Sequence, residues 1–382
     1  MKRLEEICIF IRNGLNIKNN KSKKGIPITR IETISNGIID INKTGYANIF
    51  DDKYIDYYLR QDDILMSHIN SLKHLGKVGY CYYDMKIIHG MNLLNIRVNP
   101  NNVYPKYLYY YFKSNNFKIK LNKISKQSVN QSSFSISDLK KIRIDIIDLK
   151  KQKLIVSKLD KVVEVISIRK KQIEELNNLI KSQFVEMFGE KSEAYKKHKI
   201  VKLSEIAEYY NGLTYKPADV SEIGTIVLRS GNIQNSKLEY SDIVRVKCNI
   251  KEKQYVKEKD ILMCSRNGSE KLVGKVAMIK EHEEKMTFGA FMLIIRSKYY
   301  TYLFSYFQSD DFRKKIKYGA TTTINQITVN MLNKLELPMP DIKLQNQFSE
   351  IVKQIDKQKF EIEKSLKETQ ELYESLMEKY FG

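Results

Sequence analysis

The sequence predicts an α+β protein built twice over: two similar mixed α/β units joined by two long helices that pair as an antiparallel coiled coil. Three observations carry that expectation. Short motifs recur in the same order at about half the chain length. Each copy opens with short apolar runs between Gly, Asn and Asp clusters, and each closes on a stretch of 41 residues, 148–188 and 341–381, that holds neither Gly nor Pro. At 382 residues the chain has room for such a plan. The expected boundaries are 1–147 for the first unit, 148–189 for its helix, 190–340 for the second unit and 341–382 for its helix.

The repeat is colinear. Leu4-Glu5-Glu6-Ile7 and Asn13-Gly14-Leu15 return as Leu203-Ser204-Glu205-Ile206 and Asn211-Gly212-Leu213. Gly25 to Arg30 matches Gly224 to Arg229, and Asp63 to Ser67 matches Asp260 to Met263 with Cys264 and Ser265 after it. Gly76-Lys77-Val78 recurs as Gly274-Lys275-Val276. Tyr107-Leu108, Tyr111-Phe112, Ser114 and Phe117 recur as Tyr302-Leu303, Tyr306-Phe307, Ser309 and Phe312, and Asn130-Gln131 meets Asn325-Gln326. The offset drifts only from 199 to 193 over the whole series, which implies one unit copied once with short loop insertions. Two copies are too few for a solenoid.

Within each copy the runs Ile26 to Ile31, Ile64 to Met66, Leu93 to Val98, Ile226 to Leu228 and Phe291 to Ile295 read as strands, and Tyr104 to Phe117 as a short helix. In the first long stretch Ile155, Leu159, Val162, Ile166, Ile173, Leu176, Ile180 and Met187 step by four and three, with Arg169 and Gln183 in the two polar places. In the second, Phe348, Val352, Ile355, Ile362, Leu366, Tyr373, Leu376 and Tyr380 keep the rhythm around Lys359 and Thr369. A helix lying on its own domain would show a broader apolar face, so this narrow seam favours a helical partner. Pro338 and Pro340 precede the second helix, and Gly189 and Gly382 follow the two ends. At 1.5 Å per residue each helix makes a rod of roughly 60 Å.

Composition narrows the chemistry. Lys plus Arg, 66, against Asp plus Glu, 45, leaves a net charge of +21, the balance of a protein that neutralises phosphates. Part of that excess is compositional, because Lys stands beside abundant Ile, Asn and Tyr, all with A/T-rich codons. Four scattered cysteines and five histidines without an i, i+4 pair indicate neither a disulfide framework nor a zinc site. No apolar run is long enough to span a membrane and the acidic start does not suit a signal peptide, so a cytoplasmic chain is expected. The sequence carries no phosphate loop, no dinucleotide fingerprint and no Asn-Pro-Pro-aromatic element; Asn99-Pro100-Asn101 reads as a turn. No catalytic residue, metal or cofactor is expected on this chain.

The layout, the segments Asp63 to Val78 and Asp260 to Val276, the Asn-Gln pairs near 130 and 325, the two heptad helices and the endings Glu186-Met187-Phe188-Gly189 and Glu378-Lys379-Tyr380-Phe381-Gly382 together resemble the specificity subunit of Type I restriction-modification systems. The resemblance covers the entire chain. It implies that the two α/β units are target recognition domains and the helices constant regions. It also implies double-stranded DNA as ligand, with two methyltransferase subunits and restriction/translocase subunits as partners that supply the chemistry. The two units differ in most loop residues, which implies unlike half-sites.

Base reading needs loops that carry donors and acceptors to a groove edge beside cations that grip phosphate. Two loops per unit qualify. The first holds Ser67, His68, Asn70, Ser71, Lys73, His74 and Lys77 in copy one and Ser265, Arg266, Asn267, Ser269, Lys271 and Lys275 in copy two. Arg266 fits guanine O6 and N7 with its planar fork, or else an ion pair with Glu270; Asn70 and Asn267 suit adenine, or else turn capping. The second loop holds Lys123, Ser125, Lys126, Gln127, Ser128, Asn130 and Gln131, and in copy two Lys317, Thr321, Thr322, Thr323, Asn325 and Gln326. Arg30 and Arg229, matched by the repeat, suit bidentate phosphate contact better than the run Lys18, Lys21, Lys23 and Lys24. Tyr107 to Phe112 and Tyr299 to Phe307 offer rings for stacking, but their helical spacing fits core packing more simply.

The resulting mechanism is a ruler: two readers held at a set distance enter the major groove of two half-sites, and an unread spacer separates them. Two other classes stay open at this point. One is a non-catalytic coiled-coil adaptor with a nonspecific nucleic-acid-binding surface; the other is an enzyme whose site bears no recognisable motif.

Overall fold

The computed structural model describes residues 1–17, 23–35, 37–91, 93–127, 132–190, 192, 195, 197–318 and 325–382, the side chains of 73, 317 and 318 excepted. Its internal contacts gather into two units, Met1–Lys170 with Lys364–Gly382, and Lys171–Glu363. The long helices are Leu149–Phe188 and Ile342–Phe381, 40 residues each, within a residue of the stretches free of Gly and Pro. Each therefore begins in one unit and ends in the other, a partition the expected boundaries do not contain.

Both units fold around the same antiparallel sheet. In the first the strand order is Cys8–Asn13, Leu93–Val98, Ile64–Ser67, Val78–Tyr80. In the second it is Glu208–Asn211, Met292–Arg296, Ile261–Cys264, Val276–Met278. The inner strand Ile64–Ser67 is an unbroken apolar run because both faces are covered. Ile64 and Met66 join the core that holds the helices, whereas Leu65 joins a separate cluster with Ile34 and Leu93. Ile261 and Met263 divide from Leu262 and Cys264 in the same way.

A second small sheet repeats its centre and varies its edge. Pro27–Ile28 lies between Gly45–Tyr46 and Met85–Ile88, and Thr225–Leu228 lies between Val244–Val246 and Met286–Phe288; the last contact is parallel in both. The fourth strand differs. Tyr58–Leu59 pairs with Met85–Ile88 in the first unit, while Val220–Ser221 pairs with Val244–Val246 in the second.

Several repeated motifs now have physical causes. Asp63 is fully buried and takes the guanidinium of Arg97 on both carboxylate oxygens, at 2.7 and 2.8 Å. Asp260 does the same with Arg296 at 2.7 and 2.6 Å. The Asn-Gly-Leu motif marks a close backbone approach. A Cβ on Gly212 would stand 2.0 Å from the carbonyl oxygen of Gly289, and one on Gly14 would stand 2.2 Å from that of His89. Gly212→Ala is expected to destabilise the second unit by about 1–3 kcal/mol, the usual range for overpacking, read as a lower denaturant midpoint at unchanged slope.

The helix expected over Tyr104 to Phe117 is two, Pro105–Lys113 and Asn115–Ile124. Ser114 breaks it: its Oγ accepts the N–H of Phe117 at 3.2 Å and caps the second helix. Ser309 caps Phe312 in the same way at 3.3 Å, so the repeated serine is a helix stop and restart. The rings expected to pack do pack. Tyr107, Tyr110, Phe112, Tyr302, Tyr306 and Phe307 are at most 3% exposed, which sets these six rings aside as stacking platforms.

Each unit also shows how the long helices meet. In the second, Phe188 and Phe184 pack against Phe348 at 5.3 and 5.7 Å between ring centroids, and Phe188 lies edge-on to Tyr302 at 5.2 Å. In the first, Phe381 packs against Tyr107 at 5.1 Å, in one core with Ile155 and Leu159. The end of one helix thus lies with the start of the other in both units, so the helices run antiparallel. All ten seam positions of each helix, the polar ones included, are buried or half-buried. Asp148 and Asp341 cap the two starts through Lys150 N and Leu344 N at 2.9 and 2.8 Å.

Candidate nucleic-acid interface

The buried inner strand of each unit ends in the loop expected to read DNA. In the first unit the chain turns at Ser67, whose N–H donates to Lys77 O at 2.9 Å and whose carbonyl accepts Gly76 N at 2.8 Å. Gly76 has φ +72° and would carry its Cβ into Leu121, and its counterpart Gly274 has φ +77° beside Arg313 and Ile327. A left-handed residue closes both loops, which is why Gly-Lys-Val recurs.

Residues Ile69–Asn70, just past the turn, pair with Ser132–Ser133, which pair in turn with Lys126–Gln127. The two loops separated by some 60 residues in sequence therefore form one small sheet surface. The second unit repeats the junction. Arg266 bridges Gln326, Asn267 N donates to Asn325 O at 3.4 Å, and Ile327 N donates to Ser265 O at 2.7 Å.

Exposure sorts the expected readers. Asn70 and Asn267 are half-buried, while Ser71, Lys77, Lys126, Gln127, Arg266, Ser269 and Lys271 are exposed, and Lys275, Asn325 and Gln326 are partly so. Ser67, His68 and Ser265, expected among the readers, are buried at 0%, 6% and 8% exposure, at the ends of the inner strands. Ser67 Oγ accepts Asn70 Nδ2 at 3.3 Å and the His68 ring lies edge-on to Phe134, so their work is to hold the loop. Asn130, Gln131, Thr321, Thr322 and Thr323 lie outside the described residues, as does the Lys73 side chain.

Arg266 stands over the exposed ring of Phe291, its guanidinium carbon 5.4 Å from the centroid. Asn267 does not cap its turn alone. Its Oδ1 accepts Ser269 N at 3.0 Å, and its Nδ2 donates to Ser230 Oγ at 3.2 Å. Arg229 reaches Asp242 at 3.0 Å, a pairing with a carboxylate that is 81% exposed and so exchangeable with another anion. Arg30 is exposed, at the start of a turn that its own N–H closes by donating to Thr33 Oγ1 at 2.9 Å.

In the first unit Arg30, Asn70 and Lys77 line one cleft of about 600 Å3, together with Lys43, Asn42 and Ser35, which sequence reading passed over. Asn42 and Lys43 lie in the short 3-10 turn Ile41–Lys43, and none of the three has a counterpart in the motif series. Among the described residues no group of three His, Cys, Asp or Glu side chains could hold a metal ion. Burial pushes the Cys8 and Cys81 thiols up to about 12 and raises that of Cys264, which disfavours the thiolate form. No helix among the described residues is long and apolar enough to cross a membrane.

Comparison with known proteins agrees with the duplicated plan. The family described as Type I restriction modification DNA specificity domain matches the chain twice, over residues 1–178 and 195–372. The putative type I restriction enzyme MjaX specificity subunit of Methanocaldococcus jannaschii is 32% identical, covering 97% of this chain and 92% of its own. The StySPI specificity subunit of Salmonella potsdam is 28% identical over 42% of this chain and 37% of its own length. A Type I restriction-modification S subunit from M. genitalium superposes with a TM-score of 0.55 at 15% identity, covering 100% of this chain and 95% of that one. A chain from the structural work on complex assembly and conformational transition of the type I R-M system gives 0.57, with 100% and 96% covered at 15% identity. At such identity the two structures speak for the fold.

Proposed function

The chain belongs to the Type I restriction modification DNA specificity family, as a recognition subunit without catalysis of its own, and from that premise we propose that each unit reads one half of a bipartite, asymmetric DNA target through the junction of its two loops. The observation that carries the reading is the junction itself: loops far apart in sequence are paired side by side in both units, at equivalent positions, and carry exposed cations and amides. In the first unit the contacts are assigned to Arg30, Asn70, Ser71, Lys77, Lys126 and Gln127. In the second they are assigned to Arg229, Arg266, Asn267, Ser269, Lys271, Lys275, Asn325 and Gln326. Arg30 and Arg229 hold phosphate, Asp242 yielding to DNA at the latter; Arg266 and the amides face base edges.

Other subunits of the restriction-modification complex supply the reactions. We assign two methyltransferase subunits to it, because a duplicated chain offers two like surfaces, and motor-nuclease subunits that join the core so formed. The adaptor alternative is not favoured, since the family match spans both units.

Competition at physiological salt tests the reading. The assembled complex should prefer its methylated motif to random duplex by a factor on the order of 10³ or more. Arg266→Ala should relax one base position in one half-site at a cost of about 1–3 kcal/mol. Weakening that is uniform across all sequences would make Arg266 a phosphate contact, and no preference over random duplex would overturn the reading.

A further inference from the structure

Groove readers present convex surfaces, because the edges of stacked bases lie at the floor of the groove and only a protruding side chain reaches them. The first unit departs from that pattern. Next to its loop junction is the cleft of about 600 Å3, and hollows of roughly 300–1,000 Å3 enclose ligands of small-molecule size. A base that stays in the duplex offers only an edge and leaves such a hollow unfilled.

The lining divides by chemistry. Arg30, Lys43 and Lys77 bring three cations to the lining and Glu32 one carboxylate, and Lys43 also pairs with Asp40 at 3.6 Å. Asn42 and Asn70 add amides, the latter fixed by its bond to Ser67 Oγ, and Ile31 and Ile34 add apolar surface. A nucleotide turned out of a helix makes these three demands: its phosphate is neutralised, its pairing edge finds donors and acceptors, and its flat face meets apolar side chains.

The second unit has the same elements, and there the loop touches the turn. Asn267, counterpart of Asn70, ties its loop to Ser230 at 3.2 Å, beside Arg229. In the first unit the corresponding turn, Ile31–Ile34, forms the wall opposite the loop.

We propose that the first unit draws one nucleotide of its half-site out of the duplex and seats it in this cleft, while the second unit reads its half-site with the helix intact. The proposal rests on the DNA reading above and adds a second source of discrimination. Unpairing costs least where the pair is weakest, so the identity of that base pair is weighed before any side chain reads it.

The test uses the full chain with its methyltransferase subunits and target duplexes carrying a fluorescent analogue at each position in turn, 2-aminopurine for purines and pyrrolo-cytosine for pyrimidines. Arg266→Ala marks the second unit's half-site, and the other half-site is the first unit's. A several-fold rise in fluorescence on binding is expected at one position of the first unit's half-site, distinct from the methylated base. The second half-site should show no rise beyond its methylated base. Ser35→Trp, which fills the cleft from an exposed position, should abolish the rise, whereas Ser35→Ala should keep it. Preference for the cognate duplex without any such rise overturns the proposal and leaves the DNA reading standing. Loss of that preference in the unaltered complex overturns the reading itself. A free deoxynucleoside monophosphate that shields Lys43 and Lys77 from acetylation, in a complex showing no rise, gives the cleft to a soluble nucleotide and also overturns the proposal.

Discussion

Four residues inserted at matched depth into both long helices should change the methylated motif to one with a longer unread spacer. Each insertion adds about 6 Å of helix, close to two base pairs at ~3.4 Å each. The half-site sequences should not change, because the loop junctions are untouched. The old target, with its half-sites now at the wrong distance, should fall towards nonspecific affinity, a loss on the order of 4–10 kcal/mol. Four residues also keep the apolar seam nearly in phase, since the steps along it are of four and three. Sequencing methylated bases in cells that carry the insertion checks the result, and an unchanged spacer would show that helix length does not set it.

The second large effect concerns the duplicated ion pair. Asp260→Ala should cost about 3–5 kcal/mol, because Arg296 is left with its charge desolvated and unmatched. The Asp260 side chain is 1% exposed and that of Arg296 24%, so water cannot replace the lost carboxylate fully. Tyr210 holds the other face of the guanidinium at 4.7 Å and would keep it in place. Replacing both partners, Asp260→Leu with Arg296→Met, should recover most of the loss, since an apolar pair of similar volume removes the stranded charge. Denaturant unfolding of the single and double variants decides the matter; equal losses in both would mean that the pair serves packing alone. Asp63 with Arg97 should behave alike.

Much of the fold was legible because it rests on local rules repeated twice. The helix spans follow from the absence of Gly and Pro and from the four-and-three spacing, both of which act within one or two turns. The inner strands follow from runs such as Ile64 to Met66, whose covering on both faces leaves no polar position to mislead. Reading failed where contact is long-range. The run Ile64 to Met66 does not tell that burial continues through Ser67 and His68, because that depends on the neighbours Leu93–Val98 and Val78–Tyr80. Ser114 was swallowed by an apolar helical pattern, although its capping role is a local one. Asp63 and Asp260 stand in the sequence as repeat markers, but their arginine partners are 34 and 36 residues away and carry no spacing signal. The loops that make up the interface were found by residue type, and their junction was not, since strand pairing between them cannot be read from either loop alone.

One packing detail has a consequence for inheritance. Phe188, encoded after the first copy, completes the core around Tyr302, while Phe381, encoded after the second, completes that around Tyr107. Neither half of the gene specifies a finished interior. A recombination event that imports one foreign half must therefore bring a tyrosine able to receive the resident phenylalanine. The same aromatic couple stands at both joints, so an exchanged half that keeps its tyrosine would meet a compatible phenylalanine.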